Sequence, residues 1–473
     1  MRFLILALAF IGLAVACKKT TSPGMITTPP PGSQSDLLKD SVYLYSKEVY
    51  LWDELVTDYT KFNPRGYSGA TDLQVAENVM NGIRALQPLD RFSFVTTKEE
   101  SAGLQTGAKK EFGFFIKSAS MDLAMPMDSI FWFVSYVYNT SPAGMGGVQR
   151  GWRITKVNGT VIDYSSSSIN LLNEVFFGAT NNALFQFMKQ DGADASVNLA
   201  KSTFVANSVL HRSVLTSGST KMGYMVFNQF FGETSRKELG DVFSYFEGQG
   251  ITDLIVDLRY NPGGSTQTQD TLANLIAPQS ANGKTMYKYV YNKTLQQNQH
   301  QLIRKKLGYG NLFEEANNTQ LFKKAGSLQL TRVFFIVSGS SASASELLIN
   351  NLKPHMTVKI VGDTTYGKPV GFFPIPVYDL AVYPISFKTV NSSGNADFYT
   401  GFIPDALVAD GVNKSWGDPN EPSLGAAMKY ILTGSFRLAS TDGFSMQVNS
   451  QQQMQSVQNS MEEKKFIGMF RER

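Results

Sequence analysis

Cysteine is almost absent from this sequence: Cys17 is the only one in 473 residues. A disulfide within one chain is therefore excluded, and so is a cysteine-based zinc site. Histidine is scarce too, with only His211, His300 and His355. No His, Asp and Glu residues cluster at ligand spacing, so neither a metal nor any other cofactor is expected. Charge of one sign is lacking: the net charge of +4 is small for the length and gives no reason to expect nucleic acid. The four tryptophans, Trp52, Trp132, Trp152 and Trp416, are scattered, which disfavours an aromatic face for binding glycans. The stretch NGKT at 282–285 lacks the upstream glycine of a phosphate loop, so nucleotide binding has no support.

What is present fits a packed globular protein, with 42% hydrophobic and 17% charged residues, and the length suggests about three domains. Arg2 precedes the apolar run FLILALAFIGLAVA, too short for a membrane span and read as a signal peptide over 1–17. Residues 18–35 are rich in Thr, Pro, Ser and Gly, the composition of an extended tether. From 36 to 107 the apolar residues Leu37, Leu38, Val42, Tyr43, Tyr45 and Val49 recur at helical spacing, as do Val75, Val79, Ile83 and Leu86. Between 108 and 205 the texture changes to short β runs, at 112–117, 131–138, 152–157, 184–188 and 197–199, with one helix expected over 169–177. From 206 to 434, β runs alternate with helical segments, the pattern of a parallel α/β sheet. The Gln-rich stretch 435–473 is expected to be a mobile or peripheral extension.

Three loops in the α/β region belong together. YNPGGS (260–265) follows DLIVDLR, the serine stretch SGSSASASE (338–346) follows RVFFIV, and DTTYGKPVG (363–371) follows VKIVG. If the three strands are parallel, all three loops emerge at one carboxyl edge, where open α/β sheets place their ligands. A serine between strand and helix would sit where free backbone amides favour negative charge, as an acyl-transfer oxyanion requires. Locally, however, Ser343-Ala-Ser-Glu346 also spells a capping box, and on its own reads as a helix start. His355 falls before the next strand, at the opposite end of the sheet, so a Ser–His–Asp triad is not expected. Lys368, in the third loop, is the remaining base; it would have to be desolvated to stand neutral.

Two resemblances concern the ends of this organisation. LAVAC, ending at Cys17, resembles the lipobox of bacterial lipoproteins, with Ala14 where leucine is usual. It implies a lipid-anchored protein of a Gram-negative cell envelope, facing periplasm or surface; a plain secretory signal is the alternative. SPAGMGGVQRGWRITKVNGTVI (141–162) resembles the signature of bacterial PDZ domains, with Trp152 where aspartate is usual. Such domains capture a peptide C-terminus as an added strand. The resemblance implies that Phe112, Gly113, Phe114 and Phe115 form the loop and strand meeting the terminal carboxylate.

DLRYNPGG, SASASE and GDTTYGK occur in the order and spacing of the carboxyl-terminal processing, or tail-specific, protease family, peptidase family S41. GFIPD (401–405) and LDRFSFV (89–95) resemble two further segments of it, so the likeness spans about 36–410. It implies an α/β protease core of ClpP/crotonase-like β-α-β units, with an inserted PDZ-like β domain and an N-terminal helical domain. Ser343 would then be the nucleophile and Lys368 the general base. An amide of the Gly263–Gly264 turn and that of Ala344 would form the oxyanion hole, and proteins or peptides with exposed C-termini would be the substrates. The sequence departs from the family at Phe372, where many members have a glutamine that holds the lysine, and at Pro369, where glycine is common. A degenerate protease that only binds peptides is the alternative reading.

Overall fold

The computed structural model describes residues 30–120, 129–436 and 468–471. The expected signal peptide, Cys17 and most of the tether lie outside the described residues. Among the described residues no helix is long and apolar enough to cross a membrane.

The centre is a six-stranded sheet of β1 (Val209–Ser217), β2 (Thr220–Phe227), β3 (Asp253–Asp257), β4 (Arg332–Val337), β5 (Thr357–Gly362) and β6 (Ala406–Leu407), in that spatial order. β1 is antiparallel to β2; every later pair is parallel. Helices α1 (Glu233–Gln249), α2 (Thr266–Ile276) and α3 (Ala344–Leu352) fall between consecutive strands, and α4 (Pro422–Thr433) follows β6. β3 and β4 are apolar on both faces because both faces are covered. Leu254, Val256, Val333, Phe335 and Val337 join α1, α2 and α3 in one cluster. Their neighbours Ile255, Phe334 and Ile336 join Leu424, Ala427 and Ile431 of α4 in another.

The helical N-terminal segment has no core of its own. Helices Gln34–Val49 and Asp72–Arg84 bury Leu38, Val42, Tyr43, Val49, Val75, Val79 and Ile83, as their spacing predicts. Most of these belong to the same cluster as β3 and β4, whereas Leu37 is exposed.

Residues 108–205 form a β-rich module with a separate apolar cluster around Phe114, Ile154, Val157, Leu172 and Phe185. Its strands run in the order Phe114–Ser120, Ile130–Val137, Arg153–Val157, Asn182–Met188 and Asp194–Ala200, close to the expected runs. The helix Ser166–Phe177 starts three residues before the expected one, where Ser165 caps it. The Asn158-Gly159 turn has both residues at positive φ, 50° and 82°, the backbone that a tight hairpin turn demands.

The end of the Gln-rich extension departs from the expectation of a peripheral tail. Gly468–Phe470 is a short strand, buried throughout and paired in parallel with Gly263–Ser265. Met469 and Phe470 are apolar enough to repay ordering the chain end, a signal too short to stand out beside the polar residues before it.

Candidate active site

Because β3, β4 and β5 are adjacent and parallel, the loops after them meet at one edge, as expected. Ser343 is the residue before α3, held at φ 58°, a left-handed conformation that costs energy in a non-glycine residue. It is fully buried, and its hydroxyl has no hydrogen-bond partner. On the Glu346 side of the expected capping box, the Ser343 amide donates to Glu346 Oε2 at 2.8 Å. The serine hydroxyl does not cap the helix, so it is left available for chemistry.

Glu346 does far more than start a helix. Its Oε2 also accepts from the Lys368 amide at 2.8 Å, while Oε1 accepts from the Gly367 amide at 2.7 Å and Thr365 Oγ1 at 2.6 Å. One carboxylate thus ties the serine loop to the lysine loop, and Tyr366 N–H adds a bond to Ser341 O at 3.0 Å. Burial pushes the Glu346 carboxyl up from its ordinary value, and the hydrogen bonds it accepts partly offset that. Sequence reasoning missed this role because the capping pattern already explained a glutamate at that position.

Lys368 is fully buried. Its Nζ lies 4.0 Å from the Phe372 ring centre and 4.9 Å from that of Phe92. Desolvation pushes its amine well below the ordinary lysine value; the charges of Asp90 and Glu346 pull the other way and Arg91 adds to the depression. Phe372, where many relatives are expected to carry glutamine, is therefore an apolar wall of the lysine pocket. Glu346 positions the lysine's backbone by accepting from the Lys368 amide.

The two outlying motifs support this loop. Arg91 of LDRFSFV donates to the carbonyls of Tyr366, Gly367 and Tyr399 at 3.1, 3.3 and 3.4 Å. Asp90 fixes the segment by accepting from Tyr50 Oη at 2.7 Å, Ser93 Oγ at 2.6 Å and the amides of Phe92 and Ser93. GFIPD lies against the other side: the Phe402 amide donates to Thr365 Oγ1 at 2.7 Å. Gly367, at φ 86°, leaves no room for a side chain against the Tyr399 carbonyl.

Of the two glycines expected to help form the oxyanion hole, Gly263 has its amide committed to Asn261 Oδ1 at 3.0 Å. Gly264 lies in the strand that pairs with Gly468–Phe470, opposite Met469. A Cβ on Gly263 would lie 3.0 Å from the Ala344 amide, so the glycine turn and the start of α3 are in contact. Each histidine is engaged elsewhere: His211 with Ser213, His300 with the Tyr309 carbonyl, and His355 with Thr285 and Ser392. A cleft of about 960 Å³ runs past Phe92, Tyr366 and Phe231 toward the strand 108–111 of the β-rich module.

Behind the glycine turn sits a charge cluster invisible in sequence order. Lys117 and Arg150 of the module and Arg259 of the core all reach Asp410, at 3.2, 2.8 and 2.8 Å. Arg259 also pairs with Asp257 at 2.7 Å and Glu421 at 2.9 Å. Burial opposes the Asp410 charge, but the three cations outweigh it and hold the carboxyl well below its usual range. Tyr260, which begins the YNPGGS loop, donates to the same aspartate. Phe112 and Phe114, expected at the peptide-binding loop, pack on Phe176 and Phe185 inside the module. Phe115 instead stacks on Tyr136, facing the core sheet. Gly113, between them, is at φ 83° with its carbonyl accepting from the Tyr138 amide at 2.9 Å.

Residues 221–408, from β2 to β6 with all three loops, match peptidase family S41. Over this stretch the chain is similar to peptidase family S41. A probable CtpA-like serine protease of Staphylococcus aureus is 24% identical over 281 residues, which are 59% of this chain and 49% of that protein. The chain thus spans about half the length of these Staphylococcus relatives. A carboxy-terminal-processing protease of Bartonella bacilliformis is 22% identical over 345 residues, 71% of this chain and 70% of that protein. A putative S41 protease of Bacteroides fragilis has a similar fold, with a TM-score of 0.63 at 21% identity, covering 86% of this chain and 98% of that one. The matched stretch is thus the part that carries Ser343, Lys368, Glu346 and the glycine turn.

Proposed function

We propose that the protein is a serine endopeptidase working through Ser343 and Lys368. The observation that carries this reading is a strained, buried serine with an unpartnered hydroxyl, tied through Glu346 to a loop whose lysine is desolvated. A neutral Lys368 takes the proton of Ser343 as its Oγ attacks the scissile carbonyl. The amides of Gly264 and Ala344 receive the oxyanion. The lysine passes the proton to the leaving amine, and water then hydrolyses the acyl-serine to regenerate the hydroxyl.

The β-rich module would present substrates by their C-terminal tails. Support comes from Phe114–Ser120, which stands at the end of the strand order of the module's sheet, with Phe176 of the neighbouring helix beside it. The lipobox-like LAVAC supports a lipid anchor at Cys17 that would hold the protein on a membrane of the cell envelope. The test is covalent labelling with a serine-reactive probe, mapped to one residue, beside cleavage of an unfolded protein with an apolar tail. Labelling at Ser343 and cleavage are both expected, and both should vanish in Ser343→Ala. A wild-type protein that neither labels nor cleaves defeats the reading.

A further inference from the structure

We propose that the C-terminal segment Gly468–Arg471 is the protein's own occupant of the substrate slot, and that it must leave before another peptide can be cut. This rests on the peptidase reading above. The segment is held along both edges of its backbone. On one side Gly468–Phe470 pairs in parallel with Gly263–Ser265, and the Gly468 amide donates to the Pro262 carbonyl at 3.0 Å. On the other, Met469 O accepts from the Phe372 amide at 3.0 Å and the Arg471 amide donates to Phe372 O at 3.1 Å. An extended peptide is thus inserted between the glycine strand and the strand that directly follows Lys368, the added-strand mode by which peptides are commonly recognised.

The position coincides with the chemistry. The Gly468 carbonyl oxygen and the Ala344 amide both meet the point that a Cβ on Gly263 would occupy, at 2.5 and 3.0 Å. With the segment in place Ser343, Gly263, Gly264 and Lys368 are all buried, so no second peptide strand can reach them. The side chains are recognised as well. Met469 is fully buried and packs against Gly371, where an added Cβ would meet its Cγ at 2.8 Å. The Arg471 guanidinium lies 4.5 Å from the Tyr289 ring centre and donates to Tyr291 Oη. Nearby Asp270 has an enclosed Oδ1 without a hydrogen-bond partner; burial pushes its carboxyl up to about 7, and the Tyr287 hydroxyl and the charge of Arg471 pull only partly the other way. The slot therefore suits an extended stretch with two apolar residues followed by a basic one.

A tethered occupant competes at an effective concentration in the millimolar range, so releasing it should change activity strongly. The test compares the full chain with a chain ending at Ile467, and with Phe470→Ala and Arg471→Glu in the full chain. Expected are a rise in kcat/KM toward an unrelated peptide of about tenfold or more on truncation, and smaller rises for the point variants. Faster labelling of Ser343 by a small serine-reactive probe should accompany both. The peptide Gly-Met-Phe-Arg-Glu-Arg, added to the shortened chain, should inhibit it again. Unchanged kcat/KM and labelling rates in all three variants overturn the proposal while leaving the peptidase reading intact, as does activity that falls on removing the segment. A binding readout separates the reverse case: a fluorescent copy of the same peptide should bind the shortened chain carrying Ser343→Ala, even if no cleavage is ever seen. Absence of that binding overturns the proposal.

Discussion

Replacing Lys368 by methionine should abolish peptidase activity and stabilise the fold, by an amount that depends on pH. An unfolded lysine ionises near 10.5, whereas burial against Phe92 and Phe372 pushes the folded amine well below that. A lysine that serves as the base is neutral at pH 7 in the folded protein, and that neutrality costs about 1.4 kcal/mol for each pH unit below the unfolded value, or about 5 kcal/mol. Methionine has a similar unbranched length and no charge to desolvate, so the variant escapes this cost. At pH 9 the same cost is only about 2 kcal/mol, because the unfolded lysine is closer to losing its proton. The sign follows from proton counts: between the folded value and 10.5 the unfolded chain binds a proton that the folded chain does not. Wild-type stability therefore rises with pH through this window, and the variant lacks that slope. Urea unfolding of wild type, Lys368→Met and Ser343→Ala at pH 7 and 9 measures it. The gap between wild type and Lys368→Met should shrink by about 3 kcal/mol at the higher pH, with no such change for Ser343→Ala. A gap that stays constant means the amine is charged in the folded protein, and Lys368 could not be the base.

Peptide cleavage should rise with pH through a value well below the ordinary lysine range, since only the neutral amine of Lys368 accepts the serine proton; a profile flat from mildly acidic to alkaline conditions contradicts the role. Glu346→Ala removes the acceptor of four hydrogen bonds that hold the serine and lysine loops together, and should lower kcat by on the order of 100-fold or more with little change in KM. Glu346→Gln, which keeps the oxygen that accepts from two of those donors, should recover part of the rate. Asp410→Ala leaves Lys117, Arg150 and Arg259 without their shared partner; a loss of about 3–5 kcal/mol in chemical denaturation is expected, and a loss under 1 kcal/mol would show that water reaches the cluster. Gly367→Ala forces a side chain against the Tyr399 carbonyl at φ 86°, so activity should fall even though the residue bears no reacting group.

The sequence by itself determined the parts whose signal is local. Helical spacing at Val75, Val79 and Ile83, the Asn158-Gly159 turn, and the apolar strands around Ile255 and Phe335 are each legible within a dozen residues. The meeting of the Ser343 and Lys368 loops was legible at longer range because three strand-loop units in a row bring them to one edge. The tertiary structure alone decided what depends on burial and on residues distant in the chain. Glu346 reads locally as a helix start, and only the meeting of two loops turns its carboxylate into their common acceptor. Lys117, Arg150, Arg259, Asp410 and Glu421 are spread from position 117 to 421, so no window could reveal that they share one buried site. The last strand is the sharpest case. Gly468, Met469 and Phe470 carry too few residues for any periodicity, and their place beside Gly263 and Phe372 follows from unpaired backbone edges that exist only once the core has formed.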